Sequence, residues 1–522
     1  MVSGPAAVGT QSFSAGTAAV YIFNLIVGTG ALALPNAFAL AGWGLGTGLL
    51  VLLALFSYIT ASFVVESMAA CNGIKNIEQS ITSHKIDEDM NDQEEEDKRS
   101  RNFFEEPDDD DSAYLVKNDM TGQVNVATYG ATESINSSQP VCNLARQLEL
   151  AEMADMLFNN LGKIAFSLCM VAYLFGDLAI YCTAVAKSLR DVSCTYTLPT
   201  TNITNNSSLQ LSDPCWDGTP LTRSDAYRIF VAVFLFCLGP FAFFNVSKTK
   251  YLQMFTTVMR WAAFITMVTL SIMRIADTAT PHGHPPVADF STAPTVFGVS
   301  VYAFMCHHSI PSLVSPIKNK SAIAAIMASD YILIALFYLI LAYTGIFAFP
   351  TVPDLYTLAF APVAGTTPTL PIQIADYFLA LFPVFTLSTN FPIIAITLRN
   401  NLETMITDIP LFASMSPRTR KVVFPLLATV PPALVALGTE NLGILVTITG
   451  AYAGAGIQYV IPCSLVFLAR KRLNKLEKNL ETSLENPLAS VFKNSAFVFL
   501  VLAWSALAVG LVSANFIIKA VK

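Results

Sequence analysis

The chain has 522 residues, of which 53% are hydrophobic and only 13% are charged. A typical soluble domain carries about 25% charged residues, and the mean hydropathy of +0.54 is far from that of a soluble domain. This composition excludes a disordered chain, a disulfide-rich mini-protein and an ordinary soluble enzyme, and it indicates a protein that lies mostly in lipid. The net charge of −7 disfavours nucleic acid as a partner.

The chain begins with a tail, residues 1–17, that contains no Lys or Arg. Residues 18–70 then hold two apolar stretches, at 18–40 and 43–70, and each has the length of about 20 residues that a spanning helix needs. The first stretch contains Pro35 and polar residues and does not end in a small-residue cleavage site. We therefore interpret it as a retained span and not as a signal peptide.

Residues 71–148 form one polar segment with 17 acidic and 7 basic residues, hence a net charge of −10. The rest of the chain carries 23 basic and 20 acidic residues, so the membrane part is slightly basic at +3. The segment has little apolar periodicity and cannot bury enough surface to offset its ordering entropy. We expect a mostly disordered cytosolic loop, with helical character near Leu144–Asn159. It is either a solvated spacer or a docking segment for a cytosolic protein partner.

Nine further apolar stretches give eleven predicted spans in total. Those in the core, residues 149–469, lie at 161–189, 226–244, 252–275, 294–315, 322–349, 372–398, 421–438 and 441–469. A basic loop, 470–493, separates them from the last span, 494–518, and residues 494–522 end in a short C-terminus. The fold class is therefore an all-α membrane protein.

Lys and Arg set the direction of the spans, because cytosolic loops are enriched in them. With a cytosolic N-terminus, 23 basic residues lie on the cytosolic side, counting the nearby Lys163, Arg260 and Lys493, and seven on the other side. The C-terminus is then extracellular or lumenal.

The predicted outer loop, 191–224, supports this orientation independently. It contains three glycosylation sequons, which begin at Asn202, Asn205 and Asn206. It also contains Cys194 and Cys215, which could pair in an oxidising compartment. A glycosylated outer loop fits the plasma membrane and the endolysosomal membrane alike.

Eleven spans divide into two groups of five and one extra helix, and an odd number of spans gives the two groups inverted topology. The first span of each group combines Gly, polar residues and a downstream Pro, as in Asn24–Pro35 and Gly298–Pro311. Such interruptions are tolerated at mid-membrane depth only where they line a cavity or are buried in protein. Exposed helix N-termini attract a carboxylate and free carbonyls attract a cation, so the pattern predicts a site for a small zwitterion.

These residues resemble the amino acid/auxin permease family. The resemblance rests on Asn24-Leu-Ile-Val-Gly28-Thr29-Gly30 with Leu34-Pro35, on Phe304-Met-Cys306-His307 with Pro311, and on Pro392-Ile-Ile-Ala-Ile-Thr-Leu-Arg399. The chain also resembles one particular branch of that family, in segments such as Gly176–Tyr181, Phe382–Thr386, Ser388–Ile394 and Thr449–Gly454. The resemblance implies a LeuT-like fold of the amino acid-polyamine-organocation superfamily, in which helices 1, 2, 6 and 7 rock against helices 3, 4, 8 and 9.

The interrupted spans supply the predicted substrate-binding residues Gly28, Thr29, Gly30, Ser300, Tyr302 and Phe304. The alternative for the glycines and Thr29 is close helix packing, and for the aromatic rings it is ordinary packing.

The predicted ion-coupling residues are Asn24, Asp177, His307, Ser388, Thr389 and Asn390. In sodium-coupled relatives the cation site uses a first-span Asn, matched by Asn24, and an eighth-span Thr two residues before a Pro. Here Asn390 occupies the second position, so the coupling ion stays open between Na⁺ and H⁺. A histidine at 307 or 308 could titrate near neutral pH or could simply be hydrogen-bonded between helices.

Asp177 is an ionisable residue inside a span, which makes it a functional candidate by default. It could bind a cation or accept a proton, or it could be a structural acceptor or an ion-pair partner of Arg260 or Lys187.

We therefore predict a secondary transporter of amino acids or similar small zwitterions that works by alternating access. The alternative is a membrane nutrient sensor in which the acidic loop docks a partner. The sequence contains none of the phosphate-loop, Gly-x-Ser-x-Gly or His-Glu-x-x-His motifs. We expect no enzyme activity, no bound cofactor and no metal site.

Overall fold

The computed structural model describes residues 14–102, 141–196, 210–244, 250–361, 369–406 and 414–521. This part of the chain is almost entirely helical, and strand pairing within it is limited to an isolated bridge between Pro214 and Thr222. Nine of its helices are long and apolar enough to cross a bilayer, and one bent helix pair raises the number to ten. The predicted all-α membrane architecture is therefore present.

Seven α-helices are described in the first part of the chain, residues 14–276 with their gaps. They are α1 Ala15–Ile26, α2 Thr29–Ala41, α3 Trp43–Asn102, α4 Leu150–Leu157, α5 Asn160–Ser193, α6 Arg223–Leu238 and α7 Lys250–Ala276. Local capping sets several of their starts. The side chains of Ser14 and Asn159 accept hydrogen bonds from the backbone amides of Thr17 and Gly162, respectively, which satisfies donors that a helix N-terminus leaves free.

Eight α-helices are described in the rest of the chain. They are α8 Ala293–Ala303, α9 Ile310–Val314, α10 Ile323–Ala348, α11 Leu370–Ile406, α12 Pro417–Gly438, α13 Leu442–Thr449, α14 Ile461–Leu480 and α15 Ser495–Val521. Two π-helical segments, Gly450–Gly454 and Gly456–Val460, join α13 to α14. Segments of this kind are often found at functional sites.

Both predicted interruptions are present. Helices α1 and α2 are bent by 58° relative to each other, with Val27 and Gly28 outside helical geometry. Helix α8 ends at Ala303, and a short 3-10 turn, His307–Ser309, leads into α9. Pro311 lies in the first turn of α9, where its missing N–H leaves no hydrogen bond unmade.

Gly42 separates α2 from α3. Its φ of +90° is in the region that favours glycine. A Cβ there would also lie 2.5 Å from the carbonyl oxygen of Pro286, so the backbone of the segment before α8 closely covers this turn.

Two helices extend beyond the predicted borders. We predicted that the second span ends at residue 70, but α3 continues to Asn102. Likewise α14 continues to Leu480, into the predicted basic loop. For the turns directly after residue 70 the reason is tertiary, because Ile74 and Ile77 of α3 are buried in a cluster that includes Leu473 of α14. Of the predicted disordered loop, residues 103–140 lie outside the described residues.

The segment with predicted helical character, Leu144–Asn159, contains the short helix α4. It is separated from α5 because Phe158 and Asn159 adopt extended backbone conformations.

The centre of the bundle is built around the two interrupted helices. Helix α2 packs on α8, α8 packs on α13 and the first π-helical segment, and α10 contacts α1 and α2. Around this centre, α5 packs along α11 and α12. The interruptions thus lie side by side in the interior, where side chains from α5, α7 and α10 reach them.

A buried ion pair connects α3 to α14, near the start of α15. The carboxylate of Glu66 accepts hydrogen bonds from Nε and Nη2 of Arg470, each at 2.7 Å, and from the backbone amide of Ser490 at 2.9 Å. The partners of Glu66 connect α3 to α14 and to the segment before α15.

Candidate functional site

The interrupted helices touch where Gly30 of α2 meets Ala303 of α8. A Cβ on Gly30 would lie 2.5 Å from the Cα and 2.8 Å from the backbone nitrogen of Ala303. Gly30 therefore permits the close approach of α2 to α8, which is the packing alternative for this residue.

Gly28 has a different environment. The nearest atom to a Cβ placed there, outside its chain neighbours, is the carbonyl oxygen of Ile26 at 4.0 Å. Gly28 and the adjacent Thr29 are only half-buried. The kink between α1 and α2 therefore borders open space, as a substrate site requires.

Helix ends leave carbonyl groups without partners in the helix, and two side chains cover them here. The hydroxyl of Tyr338, on α10, lies 3.1 Å from the carbonyl oxygen of Ile26 and 2.8 Å from that of Ala303. One phenol thus bridges the ends of α1 and α8. Arg260, on α7, donates a hydrogen bond from Nη1 to the carbonyl oxygen of Asn24.

Asp177 is buried in the middle of α5 and accepts a hydrogen bond from the hydroxyl of Tyr302. Lys187, one of its two predicted ion-pair partners, bonds instead to Asp354 at 2.5 Å. The other, Arg260, contacts the carbonyl of Asn24. Among the described residues Asp177 has no cation within 4.0 Å, so the ion-pair alternative does not apply.

Tyr181 lies one helical turn after Asp177 on α5, and both side chains are buried. The site thus holds a buried carboxylate bound by Tyr302 and a half-buried guanidinium at the end of α1. The open space at Gly28 lies four residues after Asn24, whose carbonyl the guanidinium contacts. We call Asp177, Tyr181, Arg260 and Tyr302 the charged cluster.

The other predicted substrate residues differ in their surroundings. Ser300 is fully buried, and its hydroxyl lacks a hydrogen-bond partner among the described residues. Phe304 is also fully buried; its ring stacks on Tyr331 at 6.1 Å and meets Tyr338 edge-on at 5.3 Å. Phe304 is therefore a packing residue between α8 and α10 in this structure, while Ser300 remains a free polar group.

Asn24 and His307 also carry unsatisfied buried atoms. Within the described part of the chain, neither Oδ1 of Asn24 nor Nδ1 of His307 has a hydrogen-bond partner. Nε2 of His307 lies 2.9 Å from the hydroxyl of Thr60 and 3.2 Å from the carbonyl oxygen of Ser57. Since a carbonyl only accepts, Nε2 carries the hydrogen in that bond, and in the neutral ring Nδ1 is then an acceptor.

His307 belongs to a second polar group, separate from the charged cluster. Gln458, in the π-helical segment, donates a hydrogen bond to the hydroxyl of Ser57. The neighbouring His308 faces elsewhere, with its ring 5.9 Å from that of Tyr173.

Ser388, Thr389 and Asn390 are half-buried on α11. The hydroxyl of Thr389 donates to the carbonyl of Thr386 at 2.8 Å, within the same helix. A cation site formed by these three residues and Asn24 stays a prediction.

The loop between α5 and α6 is anchored at both ends. Cys194 and Cys215 form a disulfide, and Arg190 donates to Glu440 at 2.5 Å. The predicted glycosylation sites Asn202, Asn205 and Asn206 lie outside the described residues. Nor does the described part of the chain contain any group of three His, Cys, Asp or Glu residues that could hold a metal ion.

Sequence reasoning underestimated Arg260 and did not identify Tyr181 or Tyr338. Arg260 was counted with the cytosolic basic residues, but it is the eleventh of the 27 residues of α7. That depth was a usable signal, because a charge inside a span is costly. The tyrosines gave no such signal, since phenols are common in spans and only their distant partners distinguish these two.

Comparisons with known proteins agree with this architecture. A family model for transmembrane amino acid transporter proteins matches residues 11–80 and 126–508. The chain is 44% identical to a Transmembrane protein 104 homolog of Drosophila melanogaster over 532 residues, which cover 99% of each chain. It is 41% identical to Transmembrane protein 104 of Homo sapiens over 530 residues, 98% of each chain. It is 34% identical to a homolog of that protein from Dictyostelium discoideum over 526 residues, 96% of each chain.

The predicted resemblance is confirmed by these matches, and the number of long apolar helices is that of a multi-pass membrane protein. The chain therefore belongs to the family of transmembrane amino acid transporter proteins, in the branch of the Transmembrane protein 104 homologs.

Proposed function

We propose that this protein is a secondary transporter of amino acids or similar small zwitterions, coupled to H⁺ or Na⁺ and working by alternating access. The observation that carries this proposal is the meeting of two interrupted helices beside the charged cluster. A buried carboxylate and a half-buried guanidinium near open space at a helix break suit a zwitterion.

The proposed fold has eleven spans, arranged as a 5+5 inverted repeat with one extra helix. In this assignment the bent pair α1–α2 and the broken pair α8–α9 are the first spans of the two halves. Their direct packing supports the assignment, because in such folds the substrate lies between corresponding broken helices. Helix α15 is the extra span.

For orientation we propose a cytosolic N-terminus and an extracellular or lumenal C-terminus, in the plasma membrane or the endolysosomal membrane. The excess of Lys and Arg on one side supports this direction. The disulfide between Cys194 and Cys215 also supports it, because disulfides persist in oxidising compartments.

The test is uptake by liposomes that contain the purified full-length protein. The twenty standard amino acids are offered as radiolabelled substrates under an imposed proton gradient, a sodium gradient or neither. Asp177→Asn should reduce uptake, whereas Asp155→Asn, the same change on a carboxylate that is 71% exposed, should leave it unchanged. If correctly inserted protein takes up none of the twenty, the transport proposal is wrong.

A second candidate function, a nutrient sensor, is favoured by the acidic segment. Helix α3 extends to Asn102, and the next residues of the chain, 103–140, contain eight acidic side chains and one basic side chain. Deleting residues 103–140 discriminates the two functions, since it leaves every described contact in place. A sensor should lose a co-purifying partner and keep amino acid binding, while a transporter with a plain spacer should keep full uptake.

A further inference from the structure

Two charges of opposite sign lie along helices of the bundle, with Asp177 buried and Arg260 half-buried. Arg260 is the eleventh of 27 residues in α7, and Asp177 is the eighteenth of 34 in α5. At a rise of about 1.5 Å per residue, each lies roughly 15 Å or more from either end of its helix. At such depth an ionised side chain is costly and requires a partner.

The guanidinium of Arg260 has spare hydrogen-bonding capacity. It has five N–H donors, and among the described residues one of them is used, on the carbonyl oxygen of Asn24. A neutral carbonyl does not compensate a full positive charge. No carboxylate of the described residues lies within 4.0 Å of Arg260.

Asp177 is short of donors in the same way. Its carboxylate can accept about four hydrogen bonds, and the hydroxyl of Tyr302 provides the one that the structure shows. The amino group of Lys187, ten residues further along α5, is held by Asp354. Asp177 therefore lacks a positively charged partner in the described part of the chain.

Both charged groups reach the interrupted helices near their contact. Arg260 donates to the carbonyl oxygen of Asn24, four residues before Gly28. Asp177 accepts from Tyr302, the residue before Ala303, and Ala303 is the residue that Gly30 meets. A ligand in the open space at Gly28 would thus lie near a cation held at α1 and an anion held at α8.

We propose that Arg260 binds the carboxylate of the substrate and that Asp177 binds its ammonium group. The inference rests on the proposed function and deepens it, because it fixes the substrate class as α-amino acids that carry both charges. A guanidinium matches a carboxylate with two parallel hydrogen bonds, and an ammonium group offers the donors that Asp177 lacks. Tyr302 and Asn24 then orient the two charged side chains.

The experiment measures binding to the purified full-length protein by isothermal titration. The twenty standard amino acids are tested first, and the strongest ligand is then compared with its α-amide and its deaminated acid. The amide keeps the ammonium and loses the carboxylate, and the acid does the reverse. We expect each analogue to bind the wild-type protein at least about tenfold more weakly than the amino acid, which corresponds to one charged contact or more.

The variants locate the two contacts. Arg260→Gln should weaken the amino acid at least about tenfold and leave the amide within about twofold, since the amide has no carboxylate to lose. Asp177→Asn should weaken the amino acid to a similar degree and spare the deaminated acid. Arg228→Gln, on a side chain that is 60% exposed, and Asp155→Asn are the matched controls and should change nothing.

The outcomes separate this inference from the proposed function. If the wild-type protein binds an amino acid and its amide equally well, transport stands and the charge assignment is overturned. The same conclusion follows if Arg260→Gln weakens both ligands equally, because Arg260 then only covers the end of α1. If Arg260→Gln does not fold, Arg260→Lys and the analogue series on the wild-type protein still test whether Arg260 binds the substrate carboxylate. Binding of none of the twenty amino acids would count against the proposed function itself.

Discussion

Gly28 and Gly30 provide a matched pair of substitutions at the kink between α1 and α2. The change Gly→Ala adds the same methyl group at both positions, two residues apart. At Gly30 the new Cβ would lie 2.5 Å from the Cα of Ala303, and at Gly28 it would have no contact under 4.0 Å. The pair therefore compares a packed position with an open one.

The expected magnitudes follow from these distances. Ordinary carbon contacts begin at about 3.5 Å, so Gly30→Ala must separate α2 from α8 by about 1 Å. Overpacking of this kind costs about 1–3 kcal/mol. Gly28→Ala meets no clash, and its φ of −123° is accessible to alanine. We expect it to change the free energy of unfolding by less than about 0.5 kcal/mol and to weaken amino acid binding, since the methyl group projects into the substrate space.

The assay is unfolding by SDS in mixed micelles, followed by tryptophan fluorescence, with ligand binding measured on the same preparations. Gly30→Ala should unfold at a lower SDS concentration than the wild-type protein. Gly28→Ala should unfold at the same SDS concentration as the wild-type protein. Equal destabilisation by both substitutions would refute the packing of α2 on α8. Unchanged binding by Gly28→Ala would show that the open space is not the substrate space.

Three further predictions concern single side chains. Tyr338→Phe should lower the free energy of unfolding by about 0.6–2 kcal/mol, because it removes the hydroxyl that the carbonyl groups at the ends of α1 and α8 share. An unchanged free energy of unfolding would mean that other donors satisfy these carbonyl groups. Cys194→Ser should cost about 3 kcal/mol, since the disulfide closes a 21-residue separation, and the difference from wild type should vanish in reductant; a difference that persists there would contradict the prediction. Burial raises the pKa of the Cys142 thiol to about 11, so at about pH 8 the reactive thiolate is scarce. Maleimide should therefore label Cys142 only after denaturation, as mass spectrometry would detect, and full labelling of the native protein would contradict this.

The two tests of function differ in what they probe. Uptake across a membrane tests the transport cycle, while the analogue series tests only the chemistry of the binding site. A protein that binds an amino acid with the expected charge preference but does not move it would favour the sensor. In that case the deletion of residues 103–140 becomes the decisive experiment.

The sequence by itself determined the membrane class and the placement of most spans. These are local properties, because about 20 consecutive apolar residues suffice to cross a bilayer. The two interruptions were also predictable from glycine, polar residues and proline in one stretch. Proline alone was not sufficient: Pro383 and Pro392 lie inside the continuous helix α11, whereas the chain breaks before Pro311.

Only the tertiary structure decided which polar groups form the site. Asp177 and Tyr302 are 125 residues apart in the chain, and Arg260 and Asn24 are 236 apart. No local pattern encodes such pairs, because a buried polar group is satisfied by whichever helix packs against it. For the same reason, the structure assigned Gly30 to packing and Gly28 to open space, although both glycines belong to one motif.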